Sequence, residues 1–185
     1  EQLLEVSSSS WKKIGLDERE CIEIIELKTA SLFSGSLKIG ATLADTNEHL
    51  VEEIGEVGKN LGIAIQLQND VRNLIGSGLE EVHGSDILEG KKSLIIINAL
   101  EVANQKDKEK IKKVFVSKQS TEEIAEMLPL LKSLGSVDYT IKKSITYLKL
   151  AQKQLKELQT LKSKQFLQKL LEDAFKNCKA LEYEN

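Results

Sequence analysis

The sequence is poor in several residue types that define specialised classes of protein. Its 185 residues include one proline, two cysteines and 4% aromatic residues. Two cysteines as far apart as Cys21 and Cys178 exclude a disulfide-dense scaffold and favour a reduced, cytoplasmic location. Eleven glycines without a regular repeat exclude collagen-like and low-complexity chains. The composition is that of an ordinary globular domain.

Charge and hydrophobicity are spread along the chain. With 26 basic and 29 acidic residues the net charge is -3, so the composition gives no reason to expect nucleic acid as the main partner. The longest uninterrupted aliphatic run, Leu94–Ile97, is far shorter than the ~20 apolar residues that a membrane-spanning helix needs. The sequence therefore predicts no transmembrane segment.

The first residues resemble the middle of a helix. The chain begins with Glu1–Val6, which contains no methionine, no basic region and no apolar targeting segment. We therefore expect residues 1–185 to form one domain that is the C-terminal part of a longer protein.

Apolar residues recur at helical spacing along most of the chain, and the alternation typical of strands is nearly missing, which predicts an all-α fold. Asp17 is a predicted N-cap, Thr46 or Asn47 is another, and Gly76 is a predicted stop before a polar loop that ends at Gly90. The sequence predicts about seven helices, over residues 17–44, 46–75, 93–102, 107–116, 121–134, 137–161 and 164–181.

Three segments carry polar groups that a purely structural helix would not need. In the first, Lys28 offers a cation to an anionic oxygen and Thr29 offers a hydroxyl. Taken alone, this pair is better explained by a lysine that extends from a half-buried helix into solvent.

The second segment lies near the end of the helix predicted over residues 46–75. Gln66, Asn69, Asp70 and Asn73 are spaced i, i+3, i+4 and i+7, so they share one helix face. Hard cations such as Mg²⁺ prefer oxygen ligands, but only Asp70 is charged. A solvated polar face is the alternative interpretation.

The third segment is the glycine-flanked stretch Gly84–Leu94. It presents Lys91 and Lys92 just before a very apolar predicted helix, where lysines and free backbone N–H groups can bind phosphate oxygens. The alternative is a pair of solvated lysines after a turn.

In their order and spacing, these segments resemble the C-terminal part of the trans-polyprenyl diphosphate synthases. That family has a Lys-Thr-Ala helix, then Gly-x-Ala-Phe-Gln-x-x-Asp-Asp-x-x-Asp, then a Gly-x-Asp…Glu-Gly-Lys-x-Ser/Thr-Leu loop. The counterparts here are residues 28–30, 62–73 and 84–94, and Gln2 and Glu5 resemble a preceding Gly-Gln-x-x-Asp element. The resemblance spans nearly the whole chain.

The resemblance implies a bundle of antiparallel helices of the isoprenoid synthase type, arranged around a central cavity. It also implies a Mg²⁺-dependent prenyltransferase that condenses isopentenyl diphosphate with an allylic diphosphate, as a homodimer or with another prenyl synthase subunit. In such enzymes metal ions help to remove diphosphate, and the homoallylic double bond attacks the allylic cation before a proton is lost.

The resemblance also implies roles for individual residues. Lys28, Gln66 and Lys91 would bind the allylic diphosphate substrate. Thr29, together with Lys28 and Gln66, would steady the cation or assist the loss of the proton.

The metal site departs from the family pattern. By resemblance, Asn69, Asp70 and Asn73 would serve the metal, but the two asparagines replace two aspartates and remove about two negative charges, which predicts weaker binding. No Asp-Asp pair occurs in the 185 residues, so the family's first Asp-rich motif is missing from this sequence. We expect this chain alone to be inactive.

Three hypotheses remain open at this stage. The first is an active elongating prenyltransferase with a product in the geranylgeranyl range, and the second is a catalytically silent, prenyl-synthase-like regulatory or partner subunit. The third is a helical interaction domain without a ligand. His49 and His83 have no Cys/His ligand spacing that would indicate zinc.

Overall fold

The computed structural model describes residues 16–76, 85–88, 91–116, 121–158 and 164–184. Within these residues all regular structure is helical, as predicted. The helices are α1 (Glu18–Ile25), a π-helical turn (Glu26–Ala30), α2 (Ser31–Leu43), α3 (Glu48–Ile75), α4 (Ser85–Leu88), α5 (Leu94–Val102), α6 (Gln105–Val116), α7 (Thr121–Ser133), α8 (Ser136–Glu157) and α9 (Lys164–Glu184).

The predicted caps are present at three helix ends. Asp17 and Glu20 form a capping box, in which each backbone N–H donates to the carboxylate of the other residue at 2.9 and 2.8 Å. Asn47 caps α3 by accepting a hydrogen bond from the Leu50 N–H at 2.9 Å. Gly76 ends α3 with a left-handed φ of 71°, which glycine adopts without steric cost.

The structure differs from the predicted helices in two places near the site. Five residues of the helix predicted over 17–44 form the π-helical turn Glu26–Ala30. The turn keeps the chain helical, so hydrophobic periodicity alone did not reveal it. The segment predicted as a polar loop contains the short helix α4.

A further difference is the end of α8, which was predicted at residue 161 and lies at Glu157. The Lys164 ammonium donates to the backbone carbonyls of Lys156 and Leu158, both at 2.9 Å. These bonds satisfy carbonyl groups that have no partner within the helix. A side chain beyond the helix therefore stabilises its early end.

The core is built around α3, half of whose 28 residues are buried. Helix α2 packs along one side of α3, and α8 and α9 pack along another. Helix α5 is buried on most sides, as its apolar sequence predicted, with Leu94 and Ile96 fully buried. None of the described helices is long and apolar enough to cross a membrane.

The turn and α2 approach α3 closely at two glycines. A Cβ atom placed on Gly58 would lie 2.8 Å from the Phe33 carbonyl oxygen. A Cβ atom on Gly62 would lie 2.7 Å from the Cα atom of Ala30. Real Cβ atoms essentially never come so close to a backbone atom, so this packing distance requires glycine at both positions.

Candidate active site

A cavity of about 60 Å³ lies among α1, the π-helical turn, the C-terminal half of α3 and the segment before α5. It brings together five of the residues predicted for the site, which come from three separate segments of the chain. The cavity is lined by Cys21, Ile24, Ile25, Lys28, Thr29, Gln66, Asp70, Lys91 and Lys92.

A chain of hydrogen bonds connects the π-helical turn to α3. The Thr29 hydroxyl donates to Gln66 Oε1 at 2.9 Å, and Gln66 Nε2 donates to Asp70 Oδ1 at 2.8 Å. Because its oxygen is occupied by Thr29, the Gln66 amide turns its nitrogen toward the carboxylate. The hydroxyl proton is committed to Gln66, which leaves the lone pairs of the Thr29 oxygen available.

Lys91 forms ion pairs with two carboxylates. Its ammonium lies 2.8 Å from Asp70 Oδ1 and 2.8 Å from Asp86 Oδ2. Burial by itself would lower the pKa of Lys91, but the two nearby carboxylates raise it above its usual range. Lys91 therefore carries a full positive charge at neutral pH.

Asp70 is the buried anion of the site, with a side chain only 1% exposed. Burial raises the pKa of its carboxyl group, although Lys91 and Gln66 both favour the charged form. Among the described residues Asp70 Oδ2 has no hydrogen-bond partner, whereas Oδ1 accepts from both Gln66 and Lys91. An unpartnered buried anionic oxygen is costly unless a ligand meets it.

The two asparagines predicted as metal ligands are placed differently from Asp70. Asn69 is exposed and accepts a hydrogen bond from Arg72 Nη1 at 3.0 Å. Asn73 Oδ1 accepts from the backbone N–H of Asp86 at 3.2 Å and so joins α3 to α4. Neither asparagine lines the cavity.

The π-helical turn contains both Lys28 and Thr29. Turns of this kind inside α-helices are frequent at functional sites, because they shift the following residues around the helix axis. Lys28 is exposed at the cavity and Thr29 is half-buried. The turn thus presents a cation and a hydroxyl side by side.

Sequence reasoning gave no role to three residues that shape the site. Asp86 holds Lys91, and the apolar Ile24 and Ile25 line one wall of the cavity. Asp86 belongs to the segment 84–94 that prompted the resemblance, which was a signal that could have found it. The isoleucines were indistinguishable from core residues of an amphipathic helix.

The described residues fit a divalent ion only if a phosphorylated ligand supplies further oxygen atoms. Among the described residues, no three His, Cys, Asp or Glu side chains are grouped so that they could hold a metal ion. Mg²⁺ in proteins is usually bound by one or two carboxylates, water and the phosphates of a substrate. Asp70, with its unpartnered buried oxygen, fits an ion that a phosphorylated ligand also holds.

The fold and the site together define an all-α protein with a cavity lined by lysines, a hydroxyl, an amide and a buried carboxylate. Comparison with known proteins agrees with this class. The chain belongs to the polyprenyl synthetase family, whose model matches residues 1–131.

Individual relatives carry the same relationship over most of the chain. The geranylgeranyl diphosphate synthase of Methanosarcina mazei is 32% identical over 169 residues, which cover 90% of this chain and 50% of that protein. The geranylgeranyl pyrophosphate synthetase of Pyrococcus horikoshii is 31% identical with a TM-score of 0.80, covering 94% of this chain and 53% of the other.

A third relative was solved with ligands. The polyprenyl synthase of Caulobacter crescentus, complexed with calcium and isoprenyl diphosphate, is 25% identical with a TM-score of 0.83. The match covers 94% of this chain and 53% of that one. The chain thus spans about half the length of these three relatives.

Proposed function

We propose that this chain supplies the diphosphate-binding half of a prenyltransferase that joins isopentenyl diphosphate to an allylic diphosphate. The observation that carries the proposal is the cavity in which three lysines and the Thr29–Gln66–Asp70 chain converge. Membership of the polyprenyl synthetase family and relatives named geranylgeranyl diphosphate synthases support it.

In the proposed reaction the C1–O bond of the allylic diphosphate breaks, and diphosphate leaves with the bonding electrons. The double bond of isopentenyl diphosphate then attacks C1, a new C–C bond forms in a 1′-4 condensation, and a proton is lost to the released diphosphate. We expect products in the geranylgeranyl range. Substrates of this class contain a diphosphate and an apolar chain.

The lysines bind the diphosphate of the allylic substrate in this proposal. Lys28 is exposed at the cavity, and Lys91 is already charged and held between Asp70 and Asp86. An ammonium has three donors, and Asp70 and Asp86 occupy two of those of Lys91, so a phosphate oxygen would accept from the third. Gln66 lies beside them and lines the same cavity while it is held between Thr29 and Asp70.

Thr29 and Gln66 face the developing cation. Because the Thr29 hydroxyl donates its hydrogen bond to Gln66, the lone pairs of its oxygen can face the allylic cation. Positive charge is attracted to an oxygen in this orientation. Preorganised dipoles of this kind lose little energy to rearrangement when charge develops. We propose that the same oxygen assists the loss of the proton.

We propose Mg²⁺ as the metal, held by Asp70 together with substrate phosphates. Bound there, the ion would neutralise the diphosphate and make it a better leaving group. Asn69 and Asn73 offer neutral amide oxygens, and both accept hydrogen bonds from protein groups. We therefore expect a weaker metal site than one with three aspartates.

A direct test measures binding of inorganic pyrophosphate to the 185-residue chain by calorimetry, with and without Mg²⁺. With Mg²⁺ present wild type should bind, and Lys91→Ala and Asp70→Asn should each bind at least tenfold more weakly, because the first loses an ammonium that contacts phosphate and the second loses the carboxylate that holds the metal. Without Mg²⁺ only Lys91→Ala should weaken binding, because loss of a carboxylate does not reduce the attraction for an anion. Lys176→Ala, an exposed lysine on α9 paired with Asp173, is the matched control and should bind normally. Equal binding by all variants would refute the proposal.

A second candidate is a catalytically silent subunit that pairs with an active prenyl synthase. The two asparagines favour it, because they leave Asp70 as the one charged residue of the predicted metal set. Turnover of isopentenyl diphosphate with geranyl and farnesyl diphosphate, assayed in the complete protein as the cell makes it, separates the candidates. Light scattering of the same sample would show whether it is a homodimer or requires another subunit.

A further inference from the structure

We propose that Gly62 is a positioning residue, which sets the orientation of the Asp70 carboxylate through Thr29 and Gln66. The inference rests on the proposed function, because it concerns the same site. It adds a buried residue that does not line the cavity and that, as a glycine, has no side chain with which to contact the site.

Gly62 lies against the π-helical turn with no room for a side chain. A Cβ atom on Gly62 would lie 2.7 Å from Ala30 Cα, 3.0 Å from Phe33 Cδ2 and 3.1 Å from Ala30 Cβ. Ala30 is fully buried and directly follows Thr29 in the π-helical turn. A side chain at position 62 must therefore push this turn away from α3, since a backbone atom cannot rotate aside.

The hydrogen bond between Thr29 and Gln66 depends on the distance between the π-helical turn and α3. Thr29 Oγ1 donates to Gln66 Oε1 at 2.9 Å, and hydrogen bonds weaken quickly beyond about 3.2 Å. Gln66 is one helical turn after Gly62, so both residues face the same turn. A shift of a few tenths of an ångström at Ala30 is enough to stretch this bond.

The orientation of Gln66 in turn determines its hydrogen bond to the Asp70 carboxylate. The Gln66 amide donates to Asp70 Oδ1 only while its oxygen is directed at Thr29. With Gln66 and Lys91 both on Oδ1, Oδ2 is left without a partner among the described residues. Residues that orient a metal-binding carboxylate affect metal affinity strongly, although they do not touch the metal.

Other glycines of the same helices provide matched controls. A Cβ atom on Gly35 would meet nothing within 4 Å, so Gly35→Ala should leave the site unchanged. Gly58→Ala brings a Cβ atom within 2.8 Å of the Phe33 carbonyl oxygen, farther along the chain from Thr29. It loosens the packing of α2 on α3 but acts less directly on the Thr29 hydroxyl.

The experiment measures pyrophosphate affinity in the presence of Mg²⁺ for the 185-residue chain and five variants, of which Gly35→Ala should bind like wild type. Gly62→Ala and Thr29→Val should each weaken binding by about tenfold, the lower end for loss of an orienting group. The double variant should bind no more weakly than Thr29→Val, because Gly62 acts through the hydroxyl that valine lacks. Gly58→Ala should lose at most a small part of the affinity.

Each outcome supports or overturns the inference. Additive losses in the double variant, or equal losses for Gly58→Ala and Gly62→Ala, would mean that position 62 only contributes to packing. If Gly62→Ala does not fold, adding Ala30→Gly removes one of the crowding atoms and allows the same measurement. Absence of binding by wild type would count against the proposed function, whereas normal binding by Gly62→Ala would refute this inference alone.

Discussion

A single substitution at Asn73 tests how the charge of the site affects the affinity for a divalent ion. Asn73 accepts a hydrogen bond from the Asp86 backbone N–H, and an aspartate can accept the same bond. Asn73→Asp adds one negative charge one helical turn from Asp70. At about 8 Å and a water-like dielectric, this is worth roughly 1 kcal/mol to a divalent ion, or about fivefold in affinity.

The affinity for Mg²⁺ in the presence of pyrophosphate is measured by titration calorimetry. Asn47→Asp is the control, because it adds the same charge at the other end of α3 and aspartate is an equally good N-cap. Tighter binding is expected for Asn73→Asp alone. Unchanged or weaker binding would show that position 73 does not face the metal.

Cys21 makes the stability of the chain depend on pH in the alkaline range. Burial, with a contribution from Asp70, raises the pKa of the thiol from 9.0 to about 12. Above pH 9 the thiol ionises in the unfolded chain but stays neutral in the folded one. The proton therefore leaves on unfolding, and a rise in pH favours the unfolded state.

Between pH 7 and pH 10 we expect this thiol to cost about 1.4 kcal/mol of the free energy of unfolding. Chemical denaturation of wild type and Cys21→Ala at both pH values measures it. The variant loses packing at both pH values, so only the difference between them is compared. An identical pH-dependent loss in the two proteins would show that the Cys21 thiol ionises freely when folded.

At the scale of the helix, alanine substitutions at two glycines should change the stability of the protein in opposite directions. Gly76 ends α3 with a φ of 71°, so Gly76→Ala should cost about 1 kcal/mol, since a Cβ atom is strained there. Gly35 lies within α2 with open space around it, so Gly35→Ala should gain up to about 1 kcal/mol from helix propensity. Thermal unfolding should shift by about 2–4 °C in opposite directions. Shifts of the same sign would contradict this account.

Helix ends were predictable because their causes are local. A capping residue lies within three positions of the N–H that it accepts from, as Asp17 and Asn47 do. The π-helical turn was not predicted, because apolar spacing remains helical through it. The early end of α8 depends on Lys164, six residues beyond the nearer carbonyl that it binds.

At the scale of the whole molecule, a buried polar network joins the site helix to the C-terminal helices. Gln68 on α3 donates to Ser144 Oγ on α8 and to the Ala174 carbonyl on α9, both at 3.2 Å. Ser144 in turn donates to the Ala64 carbonyl at 3.0 Å. A satisfied buried network specifies one packing arrangement, so α8 and α9 hold α3 in a defined position.

The 185-residue chain should bind pyrophosphate but show no turnover of isopentenyl diphosphate. It contains no Asp-Asp pair and spans about half the length of its relatives, so it supplies only one side of the proposed reaction. A radiolabelled isopentenyl diphosphate assay checks this, with the complete Methanosarcina mazei synthase as positive control. Product formation by the chain alone would contradict the prediction.

The amino-acid sequence by itself determined the all-α fold, most helix boundaries and the order of the three polar segments. These depend on apolar spacing and on caps, which act over a few residues. Gly62 belongs to the second polar segment, but the need for glycine there follows only from the 2.7 Å distance between its Cβ position and Ala30 Cα.

Only the tertiary structure decided which polar side chains meet. Thr29 and Gln66 are 37 residues apart, and Asp70 and Lys91 are 21 apart, so their hydrogen bonds depend on how the helices pack. Asn69 is exposed beside the buried Asp70, because consecutive residues of a helix point about 100° apart. A helix face is a property of the sequence, whereas its neighbours depend on distances that close packing sets.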